Sequence, residues 1–394
     1  MTKNERIVLF LLAALNFTHI LDFMIMMPLG NYLMPFFKIS PQQFSFLVAS
    51  YTISASISGF AAAFFVDGFD RKRVLIIAYA GFLLATLACG FAPTYSILLF
   101  SRVVAGLFGG LIGAQVISIV SDLFVYERRG KAMGAVMSAF AIASTVGIPF
   151  SLYLANLISW HAPFIFIAAL GLLLLPFLIR FIPAMNKHLV ETTKPKISTE
   201  GFFAVFKDKH QYQALLFSGM MMFAHFIIVP FINPFMEFNL GYSKKLTPLI
   251  YLVGGTAAFF SAIYLGRLSD KIGKLKIFTI CLLFSLPMMF LITNLFTIPY
   301  WIVLTLFGMW FTVATGRGVT AQAMVSNVVK AEHRGSFQSF NSSMQQLGSG
   351  IAALLSGFVI TKNVDGSIEH YAWLGYIGIA AMVITLFMAR KIFK

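Results

Sequence analysis

The property that most limits what this chain can fold into is the length of its uncharged apolar blocks. Residues 7–21, 44–66 and 74–91 each cross, or nearly cross, a hydrocarbon layer of about 30 Å, which takes about 20 helical residues. Buried helices of soluble proteins are shorter and keep a polar face. Only 11% of the 394 residues are charged, well under the roughly 25% of a soluble chain. Twelve such spans are placed at 6–29, 44–66, 74–92, 96–122, 132–156, 162–182, 211–235, 247–267, 276–296, 300–327, 336–360 and 371–390. The predicted class is an all-α polytopic membrane protein.

The formal charge of +15 raises the question of nucleic acid. The basic residues lie in short segments between apolar blocks, with no basic tail and no groove-reading motif, so they read as topology signals. Cys89 and Cys281 fall inside apolar blocks and read as packing residues, not as a disulfide or metal pair. No metal and no cofactor is expected. The basic start at Lys3 and Arg6 mimics a signal peptide, but the apolar run continues too far and no small-residue cleavage site follows.

The longest polar stretch, 183–210, holds Glu191, Lys194, Pro195, Lys196 and Ser198, a linker composition. It separates an N-terminal six-helix unit, 1–182, from a C-terminal one, 211–394. Its end, 201–210, reads as a short amphipathic surface helix, Phe202, Phe203 and Phe206 against Lys207 and Lys209. With twelve spans both termini share one face. That face collects most of the Lys and Arg, while the other holds only Lys38, Lys244, Lys245 and Lys362. The bias predicts cytoplasmic termini in a cell membrane, a bacterial inner membrane being the expected one. The halves also repeat. Asp67 and Asp270 open equivalent loops, and Glu127-Arg128-Arg129-Gly130 is answered at nearly the same offset by Glu332-His333-Arg334-Gly335. Parallel duplication about an axis along the membrane normal is a transporter feature.

After span eight stands Gly266-Arg267-Leu268-Ser269-Asp270-Lys271-Ile272-Gly273-Lys274. It resembles the loop signature of the major facilitator superfamily, Gly-x-Leu-Ala-Asp-Arg-x-Gly-Arg/Lys. In the first half Asp67, Arg71 and Lys72 match, while Ala63, Gly68 and Asp70 depart from it. Arg102 and Gly106 are similar to the family's Arg-x-x-x-Gly element. Gly147-Ile148-Pro149 looks like the span-five motif of twelve-helix drug–proton and sugar-efflux antiporters, with Ser151 and His161 replacing the usual Gly and Arg. The resemblance implies two pseudo-symmetric six-helix bundles, a monomer, and a small-molecule substrate exchanged for protons. It implies a cytoplasmic gate at Asp67, Arg71, Asp122, Gly266, Asp270, Lys271 and Gly273, the acids capping helices or pairing with nearby bases. Gly147 and Pro149 are expected to kink span five, by close packing and a lost backbone donor; an ordinary structural kink has the same signature.

Charges inside hydrocarbon cost a few kcal/mol or more, so they are functional candidates. Asp22 lies roughly 24 Å up span one from Arg6, and Arg102 roughly 9 Å down span four from the other face. These depths nearly coincide, and the family places the two helices together. Asp22 matches the acid of the first-helix motif of drug–proton antiporters. Protonation of Asp22 would release Arg102, a route to proton coupling; a static ion pair is the alternative. His19 shares a helix face with Asp22 and either relays protons or bonds a neighbour. His225 and Arg317 are further candidates. Arg317 either binds an anionic group, serves the gate, or snorkels to the interface. Gln115, Asn233, Asn341 and Gln345 either line the cavity or join helices. The glycines 106, 109, 110 and 113 form a packing stripe on span four. No strand precedes them, so a nucleotide loop is excluded.

The leading expectation is proton-coupled efflux of a drug, sugar or metabolite by alternating access. The rival is an importer or facilitator with the same fold. No HExxH, GxSxG or soluble catalytic domain points to an enzyme or receptor, and no filter or charge ring points to a channel.

Overall fold

The computed structural model describes residues 2–65, 68–124, 126–185, 208–329, 334–364 and 366–393. Within them the chain forms twelve long helical spans. Span one is Lys3–Ile25, span two Pro41–Phe65, span three Arg71–Gly90 and span four Tyr95–Leu123. Span five runs as Tyr126–Ile142, Ala143–Gly147 and Ile148–Leu157, and span six is Ala162–Phe181. Span seven begins with Lys209–Phe226; spans eight, nine and ten are Thr247–Ile272, Lys274–Thr293 and Tyr300–Ser326. Span eleven is Arg334–Val359 and span twelve Tyr371–Ile392. A two-stranded antiparallel ribbon, Thr361–Lys362 with Ile368–Glu369, links the last two.

Helix starts follow local chemistry. Thr2 and Glu5 form a reciprocal capping box on span one. Asp70 accepts from the backbone N–H of Lys72 and Arg73 and so caps span three. Thr94 caps span four and Asp208 caps span seven. The residue at the departing position of the first-half loop signature, Asp70, therefore has a definite task. Asp67, Lys187, Lys194 and the expected surface helix up to Lys207 lie outside the described residues.

Eleven spans are long and apolar enough to cross a membrane. The remaining one, Arg334–Val359, has 26 residues but carries a polar series that includes Asn341, Ser342, Ser343, Gln345 and Gln346. It lies against spans two, four and seven, so helices instead of lipid meet much of its polar surface.

Span seven is not the unbroken helix to residue 235 that the apolar pattern predicts. Regular helix stops at Phe226, and short turns Val229–Phe231, Ile232–Pro234 and Phe235–Asn239 follow. Pro230 and Pro234 each remove an N–H from the ladder. The Ile228 carbonyl accepts from Phe231 N–H in the short turn and also from the Tyr371 hydroxyl, at 3.2 Å. Span one ends likewise before Pro28, and Gly30–Phe37 folds as a separate short helix.

The packing pattern is the same in both halves. Spans one and seven contact five and six, and eleven and twelve, respectively; two packs on four as eight packs on ten; three packs on four and six as nine packs on ten and twelve. Across the halves, span two packs on eleven and span eight on five. Each pairing has its counterpart, as a parallel duplication requires.

Candidate functional site

One described ion pair is wholly buried, and it belongs to the first half. Arg102 Nη1 donates to Asp22 Oδ2 at 2.7 Å, and neither side chain is exposed at all. The ring of Tyr51, from span two, faces the guanidinium, with Cζ 4.4 Å from the ring centroid. Asp22 Oδ1, Arg102 Nε and Nη2 and the Tyr51 hydroxyl are buried without hydrogen-bond partners. Such a network holds unused donor and acceptor capacity.

His19 stands one turn below Asp22 with its ring against Tyr51 and Phe82, at centroid distances of 6.3 and 5.7 Å. It lines a small cavity of about 30 Å³ together with Gly109, Gly113, Ser339, Ser343 and Gln346. That volume suits about one water molecule. The cavity lies where spans one, two and four meet span eleven, between the halves. A Cβ at Gly109 would stand 2.6 Å from the Tyr51 hydroxyl and 2.9 Å from His19 Nε2. Glycine there lets both groups approach one point. Tyr51 thus connects the cavity-lining histidine with the buried pair. The sequence reading missed Tyr51; an aromatic hydroxyl in an apolar block gives no signal until its neighbours are known.

The stripe on span four is used in two ways. A Cβ at Gly106 would meet the Tyr51 carbonyl oxygen at 2.3 Å, and one at Gly110 the Ala55 carbonyl oxygen at 2.2 Å. These glycines let spans two and four touch backbone to backbone. Gly113 faces open space at the cavity.

In the second half, His225 stacks on Trp310 with centroids 5.0 Å apart and planes at 14°. Arg317 lies within electrostatic reach of His225. Asn341 and Gln345 do not stand alone. Both donate to Gln322 Oε1 of span ten, at 3.4 and 3.2 Å. Gln322 was not among the sequence candidates. Gln115 is fully buried, with neither amide atom partnered. Asn233 donates to the carbonyl of Pro28 at 2.9 Å and accepts from Tyr251 at 3.2 Å. It joins the two halves and does not face open space.

Asn233 belongs to a set of contacts that close the face opposite the termini. Asn31 donates to Glu237 Oε2, and Lys244 Nζ lies 3.2 Å from Glu237 Oε1. Lys244 also sits over the Tyr32 ring, and Tyr32 donates to Asn156. Residues 31, 32 and 156 are in the first half and 237 and 244 in the second, so this polar set bridges the halves. On the terminal face the expected pairing of Arg71 with Asp122 is present, but the described ion pairs there do not cross between the halves. Arg71 Nε meets Asp122 Oδ2 at 2.8 Å, within the first half. Asp270 and Lys271 are exposed, and the Asp270 carboxylate caps no helix; its ion pair is with Lys274, one turn on. Gly266 packs on Val319 of span ten. Gly273 has φ of 102°, a conformation that L side chains avoid, and this lets span eight turn directly into span nine.

At Gly147 and Pro149 the structure has a π-turn, Ala143–Gly147, leading into Ile148–Leu157. A wider turn leaves out the bond that Pro149 cannot donate. A Cβ at Gly255 would lie 2.5 Å from Thr145 Cα, so span eight crosses span five at this turn. Along the other seam, Gly59 faces Ser343, Gly350 faces Thr52, and Gly357 faces Ser45.

Two repeated six-helix bundles meeting along small-residue seams within a set of membrane-spanning helices are the architecture of a secondary transporter. A sequence profile of the Major Facilitator Superfamily matches residues 12–353. The chain belongs to that superfamily, whose members are transporters and not enzymes. It is 23% identical to the uncharacterized MFS-type transporter YceJ of Bacillus subtilis (strain 168), over 86% of this chain and 85% of that one. It is also 23% identical to Multidrug resistance protein 2 of the same organism, over 98% of this chain and 97% of the relative. The fold superposes on the xylose transporter XylE from E. coli in a partially occluded inward-open conformation, with a TM-score of 0.76 and 14% identity, covering 99% of this chain and 98% of the other.

Proposed function

We propose that this chain exports small organic molecules in exchange for protons, by alternating access, from a bacterial inner membrane with both termini cytoplasmic. The observation that carries the reading is the Asp22–Arg102 pair, sealed from solvent in spans one and four. Ionising two groups in hydrocarbon is costly, and only close pairing offsets it. A proton on Asp22 removes the attraction and leaves Arg102 held by the Tyr51 ring alone. The helices that the pair joins are then free to shift. Tyr51 spans the distance between the pair and His19 at the cavity, so a proton entering between the halves has a short route. The basic bias of the terminal face supports the orientation, and likeness to Multidrug resistance protein 2 along the whole chain supports efflux. Residues 183–210 serve as the tether between the halves, and one copy of the chain is the working unit. The contacts around Glu237 hold the outer face shut in this state, which leaves the cytoplasmic side as the next to open.

Everted and right-side-out vesicles, with and without a pH gradient, test this reading. Proton-driven uptake into everted vesicles is expected. Gradient-driven accumulation in right-side-out vesicles instead would make the chain an importer, and indifference to the gradient would remove proton coupling.

A further inference from the structure

Among the described residues three charged side chains, Asp22, Arg102 and Arg317, are buried within the spans, and they do not balance. Asp22 and Arg102 neutralise one another. Arg317, in span ten, has no such partner. It is 3% exposed, yet its guanidinium forms no ion pair and no side-chain hydrogen bond among the described residues, and its Nε is buried and unpartnered. Snorkelling predicts a guanidinium reaching out to lipid headgroups or water. Burial inside the protein excludes it. Span ten runs inward from the face opposite the termini, and helical side chains lean toward their own N-terminus. Arg317 therefore leans toward the membrane centre and not toward the nearer surface. The described groups nearest to it are Cys281 and Leu265, which approach its neighbour Gly316 so closely that a Cβ there would lie 2.6 and 2.7 Å from them, and His225, whose ring stacks on Trp310. None of these carries a negative charge.

A guanidinium held in such surroundings has a standing requirement for an anion. Its planar fork matches a carboxylate with two parallel hydrogen bonds. The His225 ring, backed by Trp310, and the Leu265 side chain suit a hydrophobic body attached to that carboxylate.

We infer that Arg317 is the binding group for an organic anion, a carboxylate on an apolar or aromatic frame, and that this is the substrate class carried. The inference rests on the transport reading and adds to it a division of labour. The first half holds the proton-responsive pair, and the second half holds the substrate's charge.

The test is ligand-induced thermal stabilisation of the purified full-length protein in chloride-free buffer. Matched acids and amides serve as probes: benzoate with benzamide, naphthoate with naphthamide, dodecanoate with dodecanamide. At least one acid is expected to stabilise the protein saturably while its amide does not. Arg317→Gln should weaken that binding by at least about tenfold, and Arg317→Lys by less. Without ligand, Arg317→Gln should unfold at the same or a higher temperature, because a purely structural arginine would be missed and an unpaired one would not. Asp22→Asn should keep the acid binding while losing gradient-driven transport. If no acid outperforms its amide, or if Arg317→Gln binds acids as the parent does, the inference is overturned. It is overturned too if chloride alone gives the Arg317-dependent stabilisation, which would make this an inorganic-anion site. Binding is measured without a gradient, so its failure leaves proton-coupled export standing. Lost coupling with intact binding would count against neither Arg317 nor its ligand.

Discussion

Replacement of Asp22 by Asn separates the pair reading from its alternatives. The change keeps the shape and one acceptor oxygen but removes the charge facing Arg102 at 2.7 Å. Both side chains are fully buried, so solvent does not screen the loss. Breaking a buried pair from one side costs about 3–5 kcal/mol. The Tyr51 ring, 4.4 Å from the guanidinium carbon, retains part of the stabilisation, of the order of 1–2 kcal/mol. The net loss is thus expected near the low end, about 3 kcal/mol. At about 2–4 °C per kcal/mol for a unit the size of one half, the thermal midpoint should fall by about 6–12 °C. Removing both partners, Asp22→Leu with Arg102→Met, leaves no uncompensated charge. The double variant should therefore be more stable than Asp22→Asn alone. Midpoints of the purified variants in nanodiscs supply the stability arm, and uptake driven by a pH gradient in proteoliposomes supplies the functional one. Additive losses in the double variant would refute the energetic argument. Normal pH-dependent transport by Asp22→Asn would falsify the coupling role.

Two further perturbations probe the scaffold that positions this pair. Gly106→Ala places a Cβ 2.3 Å from the Tyr51 backbone carbonyl, so spans two and four must separate; a loss of about 1–3 kcal/mol is expected, and an unchanged unfolding midpoint would show that the two helices slide without cost. Glu237→Gln removes the charge facing Lys244 and weakens the bond from Asn31. Spin-label distances across the face opposite the termini should then shift toward separation of the halves, and an unchanged distribution would mean that the packing of Gly30 and Pro234 alone keeps that face shut.

Much of the architecture is legible in the sequence because the bilayer imposes a length on each apolar run. The spans lie within a few residues of the expected ranges. Span eleven, the most polar, is found where the twelve-span count requires it. The main departure, the break after Phe226, arises at Pro230 and Pro234, which remove backbone donors from the ladder. The site is less legible. The charges at 22, 102 and 317 stand out because hydrocarbon penalises them, but Tyr51, Gln322 and Glu237 carry no such mark. Tyr51 matters through what it faces, and Glu237 through the partner it finds about two hundred residues away in the chain, a separation that no local pattern encodes.

The sequence by itself determined the twelve spans, their duplication and the rarity of interior charge, since each follows from the solvation of single residues and of runs. Only the tertiary structure decided which charges are compensated. Asp22 found Arg102 and Arg317 found no acid, because pairing depends on helix rotation and packing between spans far apart in sequence. It also decided that the polar contacts between the halves lie around Glu237, while the described ion pairs of the expected gate, Arg71 with Asp122 and Lys274 with Asp270, stay within their own halves. Composition places charge at a membrane surface; only docking of one bundle against the other brings opposite charges face to face.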